Sequence, residues 1–425
     1  MKQFQTIFKK IRGLDAWMNQ IRQYCLEHSV KESSVLFRIY ADSVGEADRV
    51  REVIARIRKF FPQAPYAGVT STGNIIHGSL SDIRISLTCT VFENPDMVIR
   101  ILQLPMTYDT QAESADSLIK AAEESSWLQA IEMMTTLSNV DMPAFCHAIS
   151  ELPPHVHFYG GGAHAIEATD GNTTETFVFS SQGDLARYHA VFILLGGSGL
   201  HFFMRSLTGW RKLGRPLKVT GSNRNDLISL NDKPAADVYQ HYLHIPTDGR
   251  FFKVANEFPL LFEEGGNRYM RAVAAIGQDR SLHLAASIDH AEWCNITYGD
   301  PVHIMQTIRE ETKRIHTFAP QVIQLFSCAG RRFFWGPGEV SRETIPFEVV
   351  APTSGFFTSG EFLRSGREVI MHNTTLVIIG MREGEIESPP EDLPEHEEDM
   401  FPHQLTISSC LASFIEAQSQ ELDLT

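Results

Sequence analysis

The residues best able to do chemistry gather in "QLFSCAGRRFFWGPGEV", residues 324–340, where an apolar run stops at Cys328 and Arg331 and Arg332 follow within four positions. A cysteine beside guanidinium groups becomes a nucleophile if their charge lowers its pKa. A cysteine closing a strand-like run is equally a small buried hydrophobe, and no histidine base can be picked out for it. Buried arginines need a carboxylate. Glu361, in "SGFFTSGEF", is the internal partner expected for Arg331; the alternative is a pocket in which Arg331 meets a small zwitterion or anion.

Seventeen histidines raise metal and haem chemistry. "HVH" (His155, His157) and "HYLH" (His241, His244) each bring two rings together, but a structural zinc wants four ligands, usually with cysteines in close pairs. The six cysteines, at 25, 89, 146, 294, 328 and 410, have no close pair, which fits reduced thiols in a cytoplasm. A single axial histidine can hold haem without a local motif. His189, just ahead of "AVFILLGG", is the candidate ligand, with His164 and His201 behind it. The turns "YGGGAHA" and "LLGGSG" lack the Lys-Ser/Thr ending of a P-loop, and no nucleophile elbow, kinase signature or H-E-x-x-H helix occurs. With no complete catalytic set, the chain is expected not to be an enzyme; the rival reading is a cysteine-dependent enzyme using Cys328.

These residues must be held by a mixed α and β framework. Leu14, Trp17, Met18, Ile21, Tyr24 and Cys25 recur at three- and four-residue steps and predict a helix. A second helix is expected in "SVGEADRVREVIARIRKFFP", with Ser43 as N-cap and Pro62 closing it. "YAGVTSTGNIIHG" and the alternating "RISLTCTVF" read as strands with glycine turns. The same order recurs from Ala112 through "VHFYGGGAHA" to "HAVFILLGGSG", and a third copy is expected to begin at "MQTIREETKRIHTFAPQVIQLFSCAGR". The fold class expected is α+β: two closely packed domains with mixed sheets flanked by helices, internal repeats and a C-terminal connector helix. In that connector Leu405, Ile407, Leu411, Phe414 and Ile415 would share one face, and the helix reads as the start of a link to a further module or as a homodimer contact.

The 425 residues suit two or three domains at about 100–200 residues each. A formal charge of −15 with no clustered basic face argues against nucleic acid, and part of that acidity sits in "REGEIESPPEDLPEHEEDM", which reads as a solvated linker. The basic, amphipathic start lacks the apolar run of a secretory signal, and no stretch reaches the roughly 20 apolar residues of a membrane span. A cytoplasmic protein without membrane insertion is expected. The segments predicted are an N-terminal helix over 1–29, domains over 30–237 and 238–382, and the linker and connector helix over 383–425.

Several pieces, in order, resemble the FIST family of sensory domains: "YAGVTSTGNIIHG", "FYGGGA", "TFVF" and "LTGWRKLGRPLKVTGSNRNDLISLNDKPAADVY", then "EFPLLF", "YMRAVAAIG", "FSCAGRRFFWG", "GFFTSGEF" and "HNTTLVIIG". The resemblance covers roughly residues 30–385 and makes the two expected domains FIST N-terminal and FIST C-terminal parts. It implies sensing: a small ligand, an amino acid or similar, whose binding is passed to an output such as a diguanylate cyclase or histidine kinase, with a branch of haem proteins that sense nitric oxide as the alternative. The family's motif positions fall here on Trp210, Arg331, Gly355, Glu361, His372 and Asn373. Of these, Arg331, Glu361, Asn373, His372 and Trp210 are the ligand-binding residues it implies. "GGGAHAIEAT" departs from the family's small-residue and Asp turn, which puts the ligand-facing edge of the first half in doubt.

Overall fold

The computed structural model describes all residues except 43–45, 82–83, 164–175, 265, 289–290, 337, 387–392, 394–404 and 424–425. The chain starts with β1 (Lys2–Ile7), α1 (Ile11–Glu27), β2 (Val35–Ala41), α2 (Ala47–Phe60), β3 (Tyr66–Thr70), the hairpin β4 (Asn74–Ile76) and β5 (Ser79–Ser81), and β6 (Ile85–Val91). It repeats that order in β7 (Val98–Pro105), α3 (Gln111–Glu123), β8 (Leu128–Thr135), α4 (Met142–Ala148), β9 (His157–Gly162), the hairpin β10 (Val178–Ser180) and β11 (Gly183–Ala186), and β12 (His189–Gly196). β13 (Leu200–Leu207) opens a third copy. A long insertion follows: β14 (Trp210–Asn223), β15 (Asp226–Leu230), β16 (Lys233–Pro234), α5 (Ala235–Leu243), α6 (Phe251–Ala255), β17 (Leu260–Glu264), β18 (Asn267–Arg271), β19 (Val273–Ile276), β20 (Leu282–Leu284) and β21 (Trp293–Gly299). The third copy then resumes with α7 (Pro301–Phe318), β22 (Val322–Cys328), α8 (Ala329–Trp335), α9 (Ile345–Val350), β23 (Thr353–Thr358), the hairpin β24 (Glu361–Ser365) and β25 (Glu368–His372), and β26 (Leu376–Glu383), before α10 (Leu405–Asp423).

The expected helices form for the expected reason. Leu14, Trp17, Met18, Ile21 and Cys25 line the buried face of α1, and Val50, Val53, Ile54 and Ile57 that of α2. The proposed cap Ser43 lies outside the described residues. α7 starts where Asp300 accepts from the amides of Val302 and His303, with Pro301 in the first turn, where its missing N–H costs nothing.

Three sheets follow one plan: β1-β6-β2-β3-β10-β11, β7-β12-β8-β9-β24-β25 and β13-β26-β22-β23-β4-β5. In each, the central strand is parallel to the strand after it and antiparallel to the strand that closes its repeat. The hairpins are exchanged in a closed cycle, so that the hairpin of the first repeat completes the third sheet, that of the third the second, and that of the second the first. The second and third sheets therefore take strands from both sides of residue 237. The expected repeats are present among the described residues, with one shift: β22, the strand of the anticipated third copy, matches β2 and β8, and the counterpart of "YAGVTSTG" is β23. The glycines fix this alignment. Gly68, Gly160 and Gly355 lie opposite Ile39, Met133 and Leu325, and a Cβ on any of them would collide with that partner's carbonyl.

Helices cover the outer face of each sheet, and the inner faces meet in a shared core containing Tyr40, Met134, Tyr159, Phe326 and Phe356. One residue earlier than Ile39, Met133 and Leu325 stand Arg38, Glu132 and Gln324, all fully buried. Arg38 donates to Glu132 (Nη2–Oε2 2.7 Å, Nε–Oε2 3.0 Å) and to Thr90 (Nη1–Oγ1 2.9 Å). With its amide oxygen turned inward, Gln324 accepts from Arg38 Nε at 2.6 Å. Equivalent positions of three repeats thus supply a cation, an anion and an amide that satisfy one another at the centre.

The insertion forms a fourth sheet, β18-β17-β21-β14-β15-β20-β19, with β16 paired to β15. α10 docks on it through Cys410, Phe414 and Ala417, with Leu411 packed alongside. Phe414 fits over Gly214, where a Cβ would strike the ring. The stripe expected from sequence is corrected here, because the face that fits is set by residues 410, 414 and 417, and Ile415 is left 65% exposed. The side chains of Leu405 and Ile407 lie outside the described residues.

Candidate functional site

Arg331 enters from the first turn of α8, directly after β22, and is 1% exposed. Its guanidinium grips Glu343 with Nε–Oε2 at 2.6 Å and Nη2–Oε1 at 2.9 Å, while Nη1 donates to the carbonyls of Thr208 (2.5 Å) and Thr374 (3.0 Å). Its carbon centre lies 4.9 Å from the centroid of the Trp210 ring. Glu343 also accepts from Trp335 Nε1, and Trp210 Nε1 donates to the carbonyl of Glu257 at 3.2 Å. The internal partner of Arg331 is thus Glu343, which corrects the expectation of Glu361. The turn before α9 carries Glu343 back under α8, whereas Glu361 begins β24 and accepts from Thr358 instead. With four of its five N–H groups engaged and Trp210 on its face, Arg331 ties α8 to the loops before β14 and β26.

Glu361 is fully buried, accepts from the amide of Thr375 (3.3 Å) as well as from Thr358, and touches the Cys328 thiol. Burial pushes its carboxyl up to about 8. Cys328 is pushed up as well, first by burial and then by Glu361, with Arg331 a lesser opposing influence. A protonated, buried thiol is the reverse of the activated thiolate that a cysteine enzyme would need, so proximity of Arg331 and Arg332 does not activate Cys328. The sign of the pH effect follows from Glu361. The folded chain holds a proton that the unfolded chain releases above 4.5, so stability falls as pH rises from about 4.5 to about 8. At about 1.4 kcal/mol per pKa unit this amounts to a few kcal/mol, and Glu361→Gln should flatten the slope of urea stability against pH across that window. An unchanged slope in the variant would refute the assignment.

His372 lies opposite Glu361 across the β24–β25 hairpin and is 7% exposed. Burial, then the charge of Arg271, pushes its imidazole down to about 4, so it is neutral at physiological pH. Asn373 donates to the carbonyl of Ser359 at 3.0 Å, and its buried Oδ1 has no hydrogen-bond partner among the described residues. The structure thus gathers Trp210, Arg331, Glu361, His372 and Asn373 around one end of the third sheet, as buried groups bonded mainly to the protein itself.

Next to them opens a cleft of about 400 Å³ that the site residues chosen from sequence do not include. Its walls come from α4 of the second repeat, β18 of the insertion and β25 of the third repeat. Arg271, 2% exposed, ends β18 and lines it. Nε donates to the carbonyl of Ser287 (3.2 Å) and Nη1 to those of Met270 (3.0 Å) and Met371 (3.0 Å). The guanidinium lies 4.2 Å from the centroid of Tyr269. Nη2 makes no hydrogen bond, and no carboxylate stands within ion-pair distance of Arg271, among the described residues. Burial accordingly lowers its pKa, the opposite of the rise at Arg38 beside Glu132. The signal for Arg271 was present in "NRYMR": Asn267, Tyr269 and Arg271 alternate along one face of a strand, a pattern that places a cation inward beside an aromatic ring.

The histidine expected to hold haem is His189. Its Nδ1 is 2.7 Å from the carbonyl of Arg187 at the start of β12, and it lines none of the described cavities. His201 is 3.7 Å from Glu385, and His164 lies outside the described residues. These surroundings do not fit an enclosed apolar haem pocket. No group of three or more His, Cys, Asp or Glu side chains is placed to hold a metal ion, and no helix is long and apolar enough to cross a membrane, among the described residues.

No curated protein matches the chain closely enough to count as a relative. The FIST N domain matches residues 38–233, from within β2 to β16, and the FIST C domain matches residues 235–364, from α5 into β24. FIST domains are small-ligand sensory domains of signalling proteins. The two matches run head to tail over about three-quarters of the sequence, and the chain belongs to the FIST family.

Proposed function

We propose that this chain is the sensory part of a cytoplasmic signalling protein, which binds a small molecule, an amino acid or similar, in the cleft between α4, β18 and β25. The observation that carries this reading is Arg271, a buried cation with no carboxylate within ion-pair distance among the described residues, lining a cavity of about 400 Å³. A buried charge is costly unless paired, and a ligand can supply the partner. Pockets of a few hundred Å³ with a few convergent polar groups are the usual form of small-molecule sites. Arg271 is bonded to the carbonyl of Met371 in β25, and the same chain segment leads through His372 and Asn373 to Thr374, whose carbonyl holds Arg331. Movement of β25 on binding would reach α8 by that route. α10, packed on α5 and β14, is the element we assign to passing the change to an output module such as a diguanylate cyclase or histidine kinase, or to a second copy of the chain.

Isothermal titration of the purified chain with the twenty amino acids and a set of small carboxylates should show saturable binding of at least one. An absence of heat with all of them would refute the sensing reading.

A further inference from the structure

The cleft holds charge of both signs at separate places. Arg271 is fixed at its inner wall by three carbonyls and the face of Tyr269, so the two free N–H groups on Nη2 are held in place. Preorganised donors of this kind suit an oxyanion, because the protein has already met the cost of orienting them. At the other end of the same tyrosine, the hydroxyl donates to Glu264 Oε2 at 2.7 Å. Glu368 stands alongside and accepts from Asn267 Nδ2. Neither Glu264 nor Glu368 has a cationic partner among the described residues, and each has a second carboxylate oxygen to offer. One tyrosine therefore carries a guanidinium on its face and a carboxylate on its hydroxyl, both bordering one cavity.

Resting on the sensing reading above, we propose that the cleft selects a zwitterion, with the ligand's carboxylate on Arg271 Nη2 and its ammonium group on Glu264, assisted by Glu368. The two ends impose the choice by rejection as well as attraction. A dicarboxylate or phosphate would satisfy Arg271 and place surplus negative charge against Glu264 and Glu368. A simple amine would satisfy the glutamates and leave the buried guanidinium unpaired. A molecule bearing both groups, as an amino acid does, neutralises both ends without net charge.

The test titrates the full chain with each of the twenty L-amino acids and with acetate, ethylamine and inorganic phosphate, for wild type, Arg271→Met and Glu264→Gln. At least one amino acid should bind, with acetate, ethylamine and phosphate each weaker by about tenfold or more. Each substitution should weaken the amino acid by at least about tenfold, a size expected when a charged partner is left unmatched. Glu264 is half-buried at the rim, so its variant should retain the fold even if Arg271→Met does not; thermal melting of both variants checks this. An amino acid that binds both folded variants as tightly as wild type, or acetate or phosphate binding as tightly as any amino acid, overturns the zwitterion proposal and leaves the sensing reading standing. Silence from every probe overturns both.

Discussion

Replacing Glu343 by alanine should destabilise the protein by about 3–5 kcal/mol, the range for removing one partner of a buried ion pair. The loss arises because Arg331 would keep its charge, 1% exposed, with only two carbonyls and the Trp210 face to offset it. Trp335 would lose the acceptor of its indole N–H at the same time. The double variant Arg331→Met, Glu343→Leu should recover most of the loss, since an apolar pair of similar volume costs little where neither charge remains. Urea midpoints of the three proteins decide the matter. A Glu343→Ala loss under about 1 kcal/mol would mean that Arg331 is free to find another partner, and would return it to consideration as a ligand residue.

Arg38→Met should cost a similar amount, about 3–5 kcal/mol, for a different architectural reason. Arg38, Glu132 and Gln324 come from the central strands of the three sheets, so the single guanidinium is the bond among the repeats at their common centre. Without it Glu132, 0% exposed, would take up a proton instead of standing as an unpaired anion beside Tyr40 and Tyr159. A carboxyl whose folded pKa is raised makes stability fall as pH rises through the window above its unfolded value near 4.3. The variant should therefore lose more stability at pH 8 than at pH 5, relative to wild type. An equal loss at both pH values would contradict this account of the centre.

Most of the framework was legible because its signals are local. The faces of α1 and α2 follow from spacing alone, and the repeats follow from recurrence of helix, strand and small-residue turn. What spacing does not contain is the exchange of hairpins among sheets, since β4–β5, β10–β11 and β24–β25 carry no mark of which sheet they complete. The candidate site suffered the same limit. "CAGRR" announces buried arginines, but nothing in the order of residues distinguishes Glu343 from Glu361 as the partner, because that choice is made by the path of the turn before α9. The alternation in "NRYMR" places Arg271 beside Tyr269 but does not by itself mark a site. The meaning of Arg271 comes from the lack of a carboxylate within ion-pair distance among the described residues, and that is a property of three dimensions only.

Hydrogen–deuterium exchange, with and without a saturating amino acid found by titration, tests the central claim most directly, since it reports where binding protects the backbone. Protection should concentrate in α4, in β17–β18 around Glu264 to Arg271, and in β25, with a smaller effect in α8. Protection confined to α8 and the Arg331–Glu343 turn, with α4 and β18 unchanged, would contradict the assignment of the cleft.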